Sequence, residues 1–436
     1  MSVDKALAFP VRTALSGPAA GAVGAATSGA KSAMNDLITL YIGGTSTDVC
    51  LIHGGQTEIA HVRDIAGFRI RLPMIDIHTV GAGGGSIAHI GPDGLMKVGP
   101  ESAGAVPGPA CYGKGGDKPT LSDANVVLGR LPVSLAGGGL TINRQKALEA
   151  VRKIAETLGL SDVKAALGIC GIAVSNMTRA IRSVSTEKGH DPRNFALMPF
   201  GGAGGLHAAD VAHALGIKRI IVPFSPGILC ADGLLEADLQ ENFVATYRTR
   251  LGGSLAEVNK IVDQLHHQAK DWIASEAKDA EQSGCMLTVD MRYVGQNYEL
   301  PVKFELSDDT SAELDVEVLK EAFFEAHLRS YGHVDRDAPI EIVNVRMKGV
   351  ARLRQVRATS PAPQGRAQPT EYHDVWFAES GAVSTPVYPR SALAPGFSIQ
   401  GPAIVTQFDA TTLVPPSTTL KVDDALNLIM EIKDAQ

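Results

Sequence analysis

The spacing of apolar and polar positions changes period several times along the chain, and each change marks an element. Residues 37–52 (LITLYIGGTSTDVCLI) set two apolar, β-forming runs on either side of GGTSTD, the pattern of a hairpin. Ahead of it, residues 16–30 (SGPAAGAVGAATSGA) are small throughout, which suits a helix packed directly against a sheet. Residues 142–158 carry the helical period through Ala147, Leu148, Val151 and Ile154, with Asn143 as N-cap and Gly159 as stop signal. A second helix is predicted over 167–184 from Ile169, Ile172, Ala173, Asn176, Met177 and Ile181. Residues 195–222 then read as strand, glycine turn (FGGAGGLH), helix (HAADVAHALG) and strand (KRIIVP), a βαβ unit with the kind of turn that binds ligands.

Beyond about residue 236 the character changes. A long helix with a Lys-, Asp- and Glu-rich polar face is expected over 254–281, followed by alternating strands at 287–294 and 298–306. A helix at 316–331 and a strand at 340–350 complete an α+β pattern. Residues 355–370 (QVRATSPAPQGRAQPT) have the composition of a linker, and residues 371–436 read as short strands and turns. The expected organisation is an α/β core over 1–235, an α+β domain over 236–354, the linker, and a small C-terminal β module over 371–436. No internal repeat is present.

Composition narrows the class without altering that picture. At 436 residues the chain can bury two or three cores, and 44% hydrophobic with 20% charged is ordinary for a soluble globular protein. Aromatics are only 5%, whereas Gly and Ala abound, as in closely packed α/β layers. A net charge of −7 favours solubility and gives no reason to expect nucleic acid or an anionic membrane as partner. No apolar run approaches the roughly 20 residues that span a bilayer. Residues 1–10 lack the basic start and apolar stretch of a signal peptide. Cys50, Cys111, Cys170, Cys230 and Cys285 are odd in number and widely spaced, so free thiols in a reducing cytoplasm are expected.

Two glycine turns are the first candidates for chemistry. Gly43, Gly44, Thr45, Ser46, Thr47 and Asp48 combine backbone N–H groups that can approach phosphate with hydroxyl donors. Gly201, Gly202, Ala203, Gly204 and Gly205 form the second, whose plain alternative is a tight turn into a helix. Between them, residues 76–130 pack two histidines, four aspartates, a glutamate and a cysteine among many glycines, a loop-rich segment suited to binding chemistry. Asp76 and His78 would share one face of an extended strand, as a catalytic pair, a hydrogen-bonded pair or a portion of a metal site. A metal would need a third ligand from His89, Glu101, Cys111 or Asp123, and no local metal-binding spacing exists, so the metal is left unknown. Cys111 is a nucleophile only if its thiolate is stabilised. Asp123, with Asn125 in SDAN, offers a catalytic carboxylate or, more plainly, a helix cap. His207 follows the second glycine turn, as a ligand contact or a helix cap, and His266-His267 lies on a charged helix face.

The segments ESAGAVPGPACYG (101–113) and SDANVVLGRL (122–131), with GGTSTD and FGGAGGLH, resemble the hydantoinase A / 5-oxoprolinase family, which includes acetone carboxylase beta-like proteins. The resemblance implies an actin-like (ribonuclease H-like) ATPase half with a helical insertion, in which one glycine hairpin grips phosphate and a later turn lines the adenosine pocket. It implies ATP with Mg²⁺, a small cyclic amide or ketone as substrate, and a hydantoinase B-type subunit in a hetero- or homo-oligomer. ATP-driven hydrolysis of a hydantoin, 5-oxoproline or related lactam is the expected reaction. Ketone carboxylation, or a truncated non-catalytic role, is the alternative, and ESAGAVPGPACYG argues against a sugar-kinase-like phosphotransferase. Asp76, His78 and Asp123 are the expected catalytic residues. Two departures stand out. Tyr41 occupies the position where the family carries an aspartate for Mg²⁺, and the phosphate hairpin of a first lobe is not found, so the resemblance covers only the later portion of the family's length.

Overall fold

The computed structural model describes residues 3–60, 63–65, 67–70, 74–305, 314–353 and 367–433. They fall into two compact units, Leu15–Glu236 with Ala358–Gln436, and Met1–Ala14 with Ala237–Arg357. The expected linker lies, over residues 355–366, outside the described residues.

The larger unit is a mixed α/β fold built on a nine-stranded sheet among the described residues. Leu37–Ile42, Ala196–Phe200 and Arg219–Val222 are parallel neighbours at its centre. Thr47–His53 flanks them antiparallel on one side and Leu428–Ile432 on the other. These central strands are apolar on both faces because both are covered by helices. Leu37, Ala196, Met198 and Ile221 pack with Ala25 of helix Ser16–Lys31 and Leu229 of helix Leu229–Glu236. Their alternates, Ile38, Leu40, Leu197 and Ile220, pack into the main core with Met177 and Ile181 of helix Asp162–Val184 and Ala208 and Val211 of helix Gly204–Leu215.

The expected helix caps form: the Asn143 side chain accepts from the Lys146 amide at the start of helix Arg144–Leu158, and Gly159 takes a left-handed conformation at its end. Helix Asp162–Val184 begins five residues before the expected start, because Ser161 accepts from the Lys164 amide and supplies a cap that apolar periodicity alone does not reveal. No single helix among the described residues is long and apolar enough to cross a membrane.

The C-terminal strands do not stand apart as a module. Thr418–Val422 and Leu428–Ile432 continue the large sheet, burying Leu420, Leu428 and Met430 in its core. Glu371–Phe377, Gly381–Pro389, Ala403–Thr406 and Thr411–Val414 form a four-stranded sheet whose Val375, Val387, Ile404 and Leu413 pack with Leu206. Short strands carry little of their own core, so burial against the existing sheet governs where they go.

The smaller unit is an antiparallel four-stranded sheet in the order Leu239–Arg250, Ile340–Leu353, Ala280–Tyr293, Leu300–Glu305. Helices Ala256–Glu276 and Val316–Tyr331 supply Val258, Val262, Leu319 and Phe323 to its core. The helix expected over 254–281 stops at Glu276, and Ala280 already opens a strand. Pairing along Ile340–Leu353 outweighs the helical propensity of residues 277–281.

Candidate nucleotide site

Parallel strands Leu37–Ile42 and Ala196–Phe200 release their C-terminal ends at the same end of the sheet, the place where open α/β sheets bind ligands. Three glycine-rich turns meet there. The turn at 43–46 is closed by the Gly43 amide, which donates to the Ser46 carbonyl at 3.1 Å. The turn at 81–85 is stitched onto it: the Gly84 amide donates to Gly43 O at 2.9 Å and the Gly85 amide to Gly44 O at 2.6 Å. The Thr47 hydroxyl adds a bond to Ala82 O. A Cβ at Gly83 would stand 2.7 Å from the backbone nitrogens of both Thr45 and Ser46, so only glycine permits this approach.

The third turn, 201–205, folds over Ile42. Gly201 has φ +80°, and a Cβ there would lie 2.5 Å from Ile42 O. The Ala203 amide donates to the same carbonyl at 3.3 Å. Helix Gly204–Leu215 starts from this turn with no side-chain cap, which leaves its N-terminal dipole facing the shared space. Gly44 and Thr45 are exposed at the hairpin tip. The side chains of Thr45 and Ser46 and the amides of Gly44 and Thr45 donate to no group among the described residues. Open amides, hydroxyls and a helix N-terminus form a donor set for phosphate oxygens.

Asp48 pairs across the hairpin with Tyr41, is nearly buried, and accepts the Thr79 hydroxyl at 2.6 Å. Burial, and then the neighbouring Cys230 and Asp48, hold the Tyr41 phenol above its ordinary range, so it stays protonated and its ring packs 5.3 Å from that of Phe200. The hairpin therefore carries its carboxylate on the second strand rather than the first. Among the described residues no group of three His, Cys, Asp or Glu side chains converges as a metal cage. One carboxylate beside a phosphate turn fits a cation that arrives with the phosphates, since Mg²⁺ keeps most of its shell from water and substrate.

The structure does not bring Asp76 and His78 together. Strand Ile77–Val80 begins after Asp76, whose amide instead donates to Glu58 O at 2.9 Å. The Asp76 carboxylate pairs with Lys188, which also bonds Glu58 at 2.9 Å. His78 is exposed and lines an open cleft of about 240 Å³ with Val80, Asn176, Arg179, Ser183 and Glu187. No hydrogen bond joins the pair among the described residues. Lys188 lies 112 residues beyond Asp76, and no local pattern points to it.

Asp123 is fully enclosed. Its Oδ1 accepts the Cys111 amide at 2.7 Å, and its Oδ2 accepts the Thr120 amide at 2.9 Å, the Thr120 hydroxyl at 2.7 Å and the Ala110 amide at 3.3 Å. Thr120 in turn accepts the Asp123 amide, completing a capping box for helix Leu121–Val127. Both oxygens are committed, so the expected catalytic role gives way to a structural one. Cys111 is buried beneath it, and burial together with the Asp123 charge drives its thiol far above its usual range. No thiolate nucleophile forms there. His207 is likewise buried: Asn125 Nδ2 donates to Leu121 O at 3.0 Å and sits 3.2 Å from His207 Nε2. Burial, then Arg130, push His207 down to about 3, which keeps the ring neutral in the core and away from ligand.

Sequence reasoning missed one further participant, the hairpin tip at 407–410, whose Asp409 carbonyl faces Gly202. Nothing local to QFDA connects it with a turn two hundred residues earlier.

Residues 1–243 match the Hydantoinase/oxoprolinase family, and residues 248–434 match its C-terminal domain. Caprolactamase subunit alpha from Pseudomonas jessenii is 37% identical over 400 residues, 89% of this chain and 57% of that protein. Acetophenone carboxylase gamma subunit from Aromatoleum aromaticum is 31% identical over 451 residues, 97% of this chain and 60% of that protein. The crystal structure of the ATP-dependent caprolactamase from Pseudomonas jessenii superposes with a TM-score of 0.79 at 34% identity, covering 95% of this chain and 61% of that one. The chain thus spans about three fifths of the length of these proteins.

Proposed function

Because the chain belongs to the hydantoinase/oxoprolinase family, we propose that it forms the nucleotide-binding portion of an ATP-dependent cyclic amide hydrolase subunit. Its substrate would be a lactam of the hydantoin, 5-oxoproline or caprolactam kind, and it would act with a hydantoinase B-type subunit in a cytoplasmic assembly. The observation that carries the reading is the meeting of three glycine-rich turns around Ile42, with donors that bond no other group among the described residues. Of the relatives named above, the one called a caprolactamase supports the lactam substrate class.

In this reading the unit built on the large sheet is one lobe of an actin-like clamp. The amides of Gly44 and Thr45 and the hydroxyls of Thr45 and Ser46 hold phosphate oxygens, Thr47 fixes the hairpin to the 81–85 turn, and the 201–205 turn with its helix closes the other side. Asp48 is the carboxylate that would face a Mg²⁺ carried by the nucleotide, and that ion would screen phosphate charge. Amide resonance makes an unstrained lactam a poor electrophile. Phosphorylating its oxygen supplies a leaving group. Water then adds to the carbon, the ring nitrogen departs as the amine, and a second water releases the phosphate. His78, in its open cleft, and Asp76, held by Lys188, would each orient substrate rather than act as one hydrogen-bonded pair.

The test is ring opening by the purified chain with its B-type subunit, followed by chromatography of the amino-acid product and of ADP. Product that forms only with ATP is expected; product formed equally without ATP defeats the reading. In the same assembly His78→Ala should remove at least about 99% of turnover, in line with the loss of an acid–base or positioning group. It should leave the melting temperature within about 2 °C, since His78 is exposed. A large fall in melting temperature with activity per folded molecule intact would make His78 structural. The carboxylase relative supports a second reading, in which the phosphorylated species is an enol that attacks CO₂. Label from bicarbonate retained in a ketone-derived acid would select it.

A further inference from the structure

Phe408 is 74% exposed, yet the hairpin tip that carries it is fixed on every side. Gln407 N donates to Ala410 O at 3.0 Å, closing the turn between Ala403–Thr406 and Thr411–Val414. The Gln407 side chain donates to Asp409 Oδ1 at 2.7 Å and to Phe224 O at 3.2 Å. Asp409 Oδ2 accepts the Gly227 amide at 2.8 Å. Asp409 O faces Gly202, and a Cβ at Gly205 would meet Thr412 at 2.6 Å, so the hairpin is seated directly against the 201–205 turn. One side of the Phe408 ring rests on Gly137, where a Cβ would lie 2.8 Å from its Cδ2.

Folding does not account for this arrangement. An aromatic ring adds core stability only when it is buried, and here a rigid turn holds one in solvent. We propose that Phe408 is the stacking platform for the purine base of the nucleotide whose phosphates occupy the glycine turns. The inference rests on the nucleotide-binding reading above and names the residue that would recognise the base. Its position fits. The hairpin that carries the ring abuts the 201–205 turn through Asp409 O and Thr412, so a nucleotide with its phosphates at the turns would lay its base on this hairpin. The adjacent Asp409 carboxylate repels phosphate, which assigns this side to the nucleoside end. Stacking on a fixed ring also costs little conformational entropy.

The experiment measures ATP, ADP and inorganic tripolyphosphate binding by calorimetry to the chain assembled with its partner subunit, in wild type, Phe408→Ala and Phe408→Trp. Phe408→Ala should weaken ATP and ADP about tenfold, the scale of one lost base–aromatic stack, and leave tripolyphosphate unchanged. Phe408→Trp should retain affinity, and its fluorescence should be quenched by ATP and ADP but not by tripolyphosphate. Equal ATP affinity in wild type and Phe408→Ala overturns the assignment while leaving the nucleotide site standing. So does a parallel loss of ATP and tripolyphosphate, which would mean that the ring shapes the turn. Failure of wild type to bind either ligand defeats the nucleotide-binding reading itself, and with it this inference.

Discussion

The glycine-turn end of the large sheet and the four-stranded sheet of residues 237–357 treat their polar groups in opposite ways. In the four-stranded sheet the buried charges close on one another. Glu341, 4% exposed, takes Arg248 at 3.0 Å through two nitrogens and Arg292 at 2.8 Å. Asp290, also 4% exposed, takes Arg346 at 2.6 Å and Asn344 at 2.9 Å. At the glycine turns, backbone carbonyls are used to lock three loops together, while amides and hydroxyls at the tip are left facing outward. A closed polar set builds structure, because unpaired buried groups are costly. An open one on a rigid frame is prepared for a ligand. By that criterion Asp123, although it belongs to the larger unit and sits in a motif-like segment, falls with the closed sets.

The largest effect expected is on Asp123. Replacing it by Ala leaves the amides of Cys111, Thr120 and Ala110 without an acceptor in the core, and should cost about 3–5 kcal/mol. Chemical denaturation should register this as a lowered midpoint, with activity lost only in proportion to unfolded protein. A catalytic Asp123 would give the reverse, a normal midpoint and no turnover.

Next is Gly83→Ala. The added methyl would press on Thr45 and Ser46 at 2.7 Å and push apart the 43–46 and 81–85 turns, which are bonded at three points. Displacement of about 1 Å at a reacting group costs about 100-fold in rate, so ATP-dependent turnover should fall by that much. Stability should fall by only about 1–3 kcal/mol, as in other cases of overpacking. Unchanged turnover would remove the 81–85 turn from the site.

What was legible in the sequence follows the same division. The hairpin, the βαβ unit and both glycine turns could be read because their signals are local: apolar runs with period two, Gly-Gly steps, and an Asn143 cap. The meeting of turns 43–46, 81–85 and 201–205 required the parallel pairing of Leu37–Ile42 with Ala196–Phe200, and no local pattern encodes that register. Asp76–Lys188, the reach of Asp123 to Ala110 and Cys111, and the Phe408 hairpin were hidden for the same reason, since each joins residues that only the fold brings close, whereas the helix cap at Asp123 was legible because Thr120 lies three residues away. The i, i+2 argument for Asp76 and His78 failed because it assumed that one strand holds both residues, and the strand starts between them.

A smaller effect, with a definite sign, comes from His207. Its folded value lies near 3, against about 6.5 when unfolded, so between these limits the unfolded chain binds the extra proton. The contribution is therefore complete above about pH 6.5 and is lost as pH falls toward 3, at about 1.4 kcal/mol per pH unit. Denaturation midpoints for wild type and His207→Gln, measured at pH 7 and pH 5, should converge at the lower pH. Parallel profiles would mean that the ring protonates freely and is not closed in the core.

The smallest effect tests the other side of the comparison. Arg248 contributes two hydrogen bonds to Glu341, but its side chain is 61% exposed, whereas that of Arg292 is only 12% exposed. Solvent screens an exposed cation, and Glu341 keeps its buried partner when Arg248 is removed. Arg248→Ala should therefore hardly move the denaturation midpoint and should leave ATP-dependent turnover unchanged. Arg292→Ala should be the more destabilising, because it strips Glu341 of the partner that shares its burial. Either change that reduced turnover to the extent expected for Gly83→Ala, with the midpoint hardly moved, would show that the closed ion pairs of this sheet serve the reaction, and the division between closed and open polar sets would fail.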